Sequence, residues 1–241
     1  MIVDEMHLQF KIGVDKTDSL NSANFTPAEI DIYLSDAQEQ FVEQRAYGNN
    51  FKKESVEETQ QRVRNLQSIT YNTVITSFTN NANNKPNGVF IDLPADYRHA
   101  LEEEVDVTYT DCNGAVKTAR LPVVALTHDK YNKTMANPFS KPNINKVYRL
   151  PYGRFGGVEH FELVTGTGFT ITAYYLRYLK NPLKINLANR TLPVPSVGSG
   201  QAGSLADEAY REIIRMAVRN ALGDIESPRT QESMQRITEI E

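Results

Sequence analysis

The chain has 241 residues, 40% of them hydrophobic and 23% charged, with a formal net charge of -4 and a pI near 5.7. That is enough apolar material for one large domain or two small ones, and the acidic balance argues against general electrostatic attachment to nucleic acid or anionic lipid. The single Cys112 excludes an internal disulfide and a cysteine-based zinc site. No run of about 18 apolar residues exists to span a bilayer as a helix, and the opening MIVDEMHLQF lacks a basic and apolar leader pattern.

Met6, Phe10 and Val14, four apart, predict a short amphipathic helix over 3–15, with a strand as the competing reading. After a polar loop, Thr26-Pro27-Ala28-Glu29 forms a capping box with proline at the first helical position. The helix it opens should bury Ile30, Leu34, Ala37 and Phe41, carry Asp31, Gln38 and Arg45 on other faces, and stop at Gly48. A second box, Ser55-Val56-Glu57-Glu58, starts another helix with Val56, Val63 and Leu66 in phase, antiparallel to the first. Residues 70–79 suit a strand, with a helix tail as the competing reading, and NNANNKPNG at 80–88 is the strongest breaker in the chain.

Beyond the breaker the period becomes that of a sheet. Strands are expected at 89–93 and 104–109 with a helical turn at 94–100 between them. A hairpin follows at Asp111-Cys112-Asn113-Gly114, where Asn-Gly supplies left-handed positions, and the return strand is 115–121. Thr127 should cap a short helix ending near Met135. The loop NPFSKPNIN leads to strands at 147–150, 159–164 and 169–178, a further meander separated by PYGRFGG and TGTG.

The stretch 204–223 dominates the pattern. Leu205, Ala209, Tyr210, Ile213, Ile214, Met216, Ala217 and Ala221 are among the apolar residues that cover well over half of a helical perimeter, with Ser204 as N-cap and Gly223 closing the last turn. Glu208/Arg211 and Glu212/Arg215 have the spacing of i,i+3 ion pairs. A surface helix needs an apolar stripe only about 100° wide. This face is therefore expected to pack between elements of its own fold, of a neighbouring subunit, or of both. The residues after Gly223 carry a thin stripe of Met234 and Ile237, an arm that frays or docks elsewhere. The expected fold class is α+β: a helical bundle of the N-terminal helices and the long C-terminal helix, with an inserted antiparallel β-rich part. Its parts are 1–79, 80–182 and 183–241, the helical ones packing as one domain.

No constellation points to catalysis. His7, His99, His128 and His160 follow no metal-ligand spacing, and Glu102, Glu103 and Glu104 read as a solvated run. No Gly-x-Ser-x-Gly elbow occurs. The glycines of YGRFGG fit neither phosphate-binding fingerprint, so this stretch reads as a β-loop with Arg154 and Phe155 as contact residues. The expectation is a protein without enzymatic activity, cofactor or metal. Its candidate subunit and partner contacts are Ile213, Met216 and Asn220 on the last helix, Arg154 and Phe155, Pro138 and Phe139 in the proline-rich loop, and Met234 and Ile237 in the arm.

The phrases EMHLQFKIGVDK, FTPAEIDIYLSDAQEQF, LPADYRHALE, ITAYYLRYLKNPLKINL and LADEAYREIIRMAVRNAL, in this order, resemble the head-to-tail ring or adaptor (connector) proteins of crAss-like bacteriophages. More distantly they resemble the tail adaptors of other short-tailed phages. The resemblance covers most of the chain and rests on apolar patterns and short phrases. It implies a structural virion protein at the head-tail neck, assembled in the host bacterial cytoplasm as a cyclic ring of about twelve copies. It further implies contacts with the portal protein and adjacent tail ring proteins, genomic DNA passing through the lumen without specific binding, and no membrane partner. Another tail component, such as a tube, terminator or second ring protein, and a nucleic-acid-binding module are the alternative readings.

Overall fold

The computed structural model describes residues 1–17, 25–46, 60–80, 84–155 and 157–224. In chain order its helices are α1 (Val3–Thr17), α2 (Pro27–Ala46), α3 (Gln60–Leu66), α4 (His128–Ala136) and α5 (Asp207–Asp224). The strands are β1 (Thr70–Ile75), β2 (Gly88–Asp92), β3 (Tyr97–Thr110), β4 (Val116–Ala125), β5 (Val147–Phe155), β6 (Val158–Val164), β7 (Phe169–Lys180), β8 (Lys184–Ile185) and β9 (Ser196–Val197). These elements group into two units, Met1–Ile69 with Pro182–Glu241, and Thr70–Asn181.

The expected helical bundle with a long C-terminal helix does not form. A seven-stranded sheet is the main element, the five helices among the described residues are short, and α5 has 18 residues. Its start also differs. The Ser204 hydroxyl is not an N-cap, because it accepts a hydrogen bond from the Leu183 amide (3.3 Å), and the helix opens at Asp207. The broad apolar perimeter of this segment reflects enclosure on several sides rather than length. Tyr210, Ile213 and Ala217 are fully buried.

In the first unit the capping box forms as the sequence requires. Thr26 N–H donates to Glu29 Oε2 (2.7 Å), and Glu29 N–H returns a longer bond to the Thr26 hydroxyl (3.4 Å). Val3, Met6, Phe10 and Val14 line the buried stripe of α1, and Ile30, Leu34, Ala37 and Phe41 that of α2. Asp31 and Gln38, however, are fully buried rather than turned to solvent. Together with Ser35 they form an i, i+4, i+7 row along α2 that meets the chain at 183–188. Asp31 accepts the Leu187 and Ala188 amides (3.0 Å each), the Ser35 hydroxyl accepts the Ile185 amide (3.2 Å), and the Gln38 amide donates to the Leu183 carbonyl (3.0 Å). β8 and β9 are two residues each, a parallel ladder too short to pair this stretch by itself, so side chains of α2 satisfy the remaining backbone groups. The second expected capping box, at 55–58, lies outside the described residues.

The second unit holds the sheet, in the order β1-β7-β3-β4-β5-β6-β2. It is not an antiparallel meander, since β4 and β5 run parallel and β7 lies between β1 and β3 rather than beside β6. The sheet curls. Tyr97 on β3 meets Phe161 on β6 edge to face at 5.7 Å between ring centroids, although two strands separate them in the order. Thr79, just beyond β1, exchanges two backbone hydrogen bonds (2.9 Å each) with Phe90 on β2, so the two ends of the strand order meet in one bridge. Val105, Val107, Leu163, Tyr174 and Leu176 form part of the enclosed core. The helical turn expected at 94–100 is cut to one turn, in which the Tyr97 amide donates to the Pro94 carbonyl (3.0 Å), because β3 already begins at Tyr97 and shifts register against β7 between Tyr97 and His99 and again between Ala100 and Glu102. Each shift breaks the two-residue alternation that marks a strand in sequence. In the hairpin after β3, Gly114 alone takes a left-handed conformation (φ 78°), and its amide donates to the Asp111 carbonyl (2.8 Å).

His7 on α1 is buried and donates Nε2–H to Asp31 Oδ1 (2.8 Å). Burial pushes its imidazole below the ordinary value of 6.5, with the Asp31 bond opposing that shift. The unfolded chain therefore binds a proton that the folded chain refuses. The His7 contribution is complete above pH 6.5 and is lost as the pH falls toward the folded value. The urea midpoint of the first unit, followed by amide exchange in α1 and α2, should fall between about pH 7 and pH 5. The fall should be shallower in His7→Gln; an equal or steeper fall would contradict the neutral-imidazole assignment.

Candidate functional site

Candidate contacts on the last helix are already engaged within the first unit. Ile213 and Met216 are buried, and the Asn220 amide donates to Gln40 Oε1 (3.1 Å). The helix's acidic residues do not pair along their own axis. Glu208 reaches Arg64 of α3 (2.6 Å), and both carboxylate oxygens of Glu212 lie 2.7 Å from Arg45 Nη2 on α2. Arg211 and Arg215, the expected i+3 partners, consequently have no ion pair among the described residues.

These two arginines flank an open groove of about 390 Å3 between α1 and α5, floored by Ile12, Ile214 and Val218. Gly13 permits the close approach of the two helices, since a Cβ there would stand 2.9 Å from Val218 Cγ2.

In the second unit the loop after α4 presents Pro138 and Phe139, the latter 90% exposed. The loop is held from beneath. Phe139 N–H donates to Asn137 Oδ1 (3.0 Å), and the Tyr148 hydroxyl donates to the Ser140 carbonyl (2.6 Å). Arg154 is exposed and its Nε–H donates to the Gly157 carbonyl (3.1 Å), while Phe155 closes β5. YGRF is thus strand rather than loop, with Gly153 (φ 117°) at a register shift against β6. The candidate contacts Met234 and Ile237 lie outside the described residues.

The acidic run on β3 is split by the sheet. Glu102 and Glu104 line an open depression of about 540 Å3 with Tyr175 and Arg177. Glu103 points inward, only 7% of its side chain exposed, and pairs with Arg149 Nε at 2.9 Å. Burial raises the Glu103 carboxyl, Arg149 pulls it back, and burial also raises the neighbouring Tyr174 phenol. On the outer face Asp106 binds Arg120 Nε and Nη2 (2.9 and 3.1 Å) and accepts the Tyr175 hydroxyl (2.9 Å), with the guanidinium stacked 3.9 Å above the Tyr175 ring. Hydrogen bonds to Arg120 and Tyr175 keep Asp106 below the usual carboxylate range.

His128 contacts the Pro151 carbonyl (2.6 Å) and His160 the Asp92 carboxylate (2.8 Å). No three His, Cys, Asp or Glu side chains converge as a metal site would need among the described residues. The interactions on view among the described residues are packing, hydrogen bonding and ion pairing. Asp31, Gln38 and Glu103, expected away from the core or in solvent, are instead enclosed, and their partners Ser35 and Arg149 carry no expectation from sequence; the signal for the first group is the shared face of Asp31, Ser35 and Gln38 on α2, whereas no local pattern marks the pair Glu103 and Arg149.

The sheet unit thus carries an exposed aromatic loop, and the helical unit an open groove lined by apolar residues and two arginines. A family model described as phage tail ring protein 3/4 matches residues 1–232, and the chain belongs to that family. It is 27% identical to Ring protein 3 of Bacteroides phage crAss001 over 214 residues, 84% of this chain and 90% of that protein. With Ring protein 4/5 of the same phage it shares 25% identity over 135 residues, 54% of this chain and 52% of that protein, so it spans about half of that relative. Family membership makes this chain a structural ring protein of a phage tail.

Two substitutions separate fold from contact. Ile213→Asp places a charge in a fully enclosed position and should abolish soluble folded protein, at a cost of several kcal/mol, by circular dichroism and size-exclusion chromatography. Phe139→Ser should shift the thermal midpoint little while reducing assembly. Normal assembly of Phe139→Ser would remove that loop from the interface.

Proposed function

We propose that the protein is a ring-forming head-to-tail adaptor that joins the portal to the tail and lines the DNA conduit. The family match across residues 1–232 is the observation that carries this reading. Exposed contacts on separate elements support it, because a ring needs two different complementary patches on each copy. The formal charge of -4 fits a lumen that passes DNA without holding it, since phosphate retention needs a concentration of Lys and Arg. In this account the ring has about twelve copies, its neighbours are the portal protein and adjacent tail rings, and it is assembled in the bacterial cytoplasm. Phe139, Pro138, Arg154 and Phe155 are the contact residues in the sheet unit.

A second reading follows from the similarity to two differently numbered ring proteins: a ring stacked among other rings without touching the portal. Electron microscopy of particles carrying a labelled copy tests both. A ring against the portal is the expected result, a ring farther along the tail favours the second reading, and a position in the shell or a fibre contradicts both. In an electrophoretic shift at moderate salt the protein should leave duplex DNA unretarded; sequence-selective retention would instead support a nucleic-acid-binding module.

A further inference from the structure

We infer that the α1/α5 groove is a socket for residues 237–241 of a neighbouring copy, a deepening that rests on the ring reading above. The groove combines an apolar floor of Ile12, Ile214 and Val218 with Arg211 and Arg215 at its side. The carboxylates that would ordinarily neutralise those arginines along α5 are drawn away, Glu208 to Arg64 and Glu212 to Arg45. Ile12 is 43% exposed and the adjacent Leu8 59%, so apolar surface continues along α1 beyond the floor.

The matching chemistry is present in the same chain. Residues 237–241 read Ile-Thr-Glu-Ile-Glu, two apolar side chains and two carboxylates within five positions. A phosphate backbone would satisfy the arginines but offers nothing to the apolar floor, which favours a peptide over nucleic acid. The chain between Asp224 and residue 237 spans up to roughly 40 Å when extended, at about 3.3 Å per residue, long enough to leave one copy and reach the next. A socket and an arm on every copy constitute a heterologous contact, which closes into a ring when each copy gives one arm and takes one.

The test uses the full chain with Cys112→Ser as background. Ile12→Cys is introduced in one preparation and Ile240→Cys in another, and the two are mixed with a short bismaleimide. The expected result is a covalent dimer of the two species on mixing, at a yield lowered about tenfold by Arg211→Glu with Arg215→Glu. Glu239→Arg with Glu241→Arg on the partner should restore it. Absence of the mixed dimer, or a cross-link formed only within one chain when both cysteines share it, overturns the inference. Electron micrographs of uncross-linked protein judge the ring reading separately: rings without the mixed dimer reject the socket alone, and the absence of both rejects the ring as well.

Discussion

The helical unit depends on one row of polar side chains inside an otherwise apolar interface. Asp31, Ser35 and Gln38 on α2 supply hydrogen-bond partners to backbone groups between Leu183 and Ala188, a stretch whose own β pairing is two residues long. Without that row the buried Ile185 amide would stand unpaired at a cost of about 1–3 kcal/mol, and the half-buried Leu187 and Ala188 amides would lose their partners at a smaller cost. Asp31 is a fully buried carboxylate, an expensive group to desolvate. Two amides, the His7 ring and the guanidinium of Arg190 at 3.9 Å surround it and offset that cost. Gln38 extends the network to α5, because its Oε1 accepts the Tyr210 hydroxyl (3.0 Å), which in turn accepts the Leu205 amide (3.3 Å). Segments about 150 residues apart in sequence are thus fastened by directional bonds that fix their register as apolar packing alone would not.

The sheet unit solves a different problem, the unpaired edges of an open sheet. Curling brings Thr79 against Phe90, so the β2 edge is partly paired. The price is an interior that encloses Glu103 and Arg149, kept tolerable by their mutual pairing and by Arg149 lying 4.3 Å over the Phe161 ring. On the outside of the unit Phe139, on a loop held by the Asn137 side chain and the Tyr148 hydroxyl, is the most exposed of the described large apolar side chains, with Val116 next.

Elements set by local chemistry were legible. The Thr26 capping box, the four-residue spacing of α1 and the asparagine-glycine hairpin all rest on interactions within a few residues, and each forms. Elements set by distant partners were not. Asp31 and Gln38 look like surface residues until the 183–188 chain arrives to pair with them. Glu208 and Glu212 look like partners of the arginines three residues on until α3 and α2 present better-placed guanidinium groups. The length of β3 was hidden by register shifts that scramble its alternation, and the parallel β4/β5 pair by the absence of any sequence mark for strand direction. Candidate contacts on α5 were chosen from the breadth of its apolar face, most of which its own unit covers; the exposed Phe139 was legible only as part of a proline-rich loop.

The most direct measurement is amide hydrogen exchange at Leu187 and Ala188, with α1 and α2 amides as internal reference, in the native protein and in Asp31→Ala. Both amides should be strongly protected in the native protein and lose that protection in the variant before the helices do. Exchange at free-peptide rates in the native protein, or unchanged protection once the carboxylate is gone, would show that the buried row on α2 does not hold this unit together.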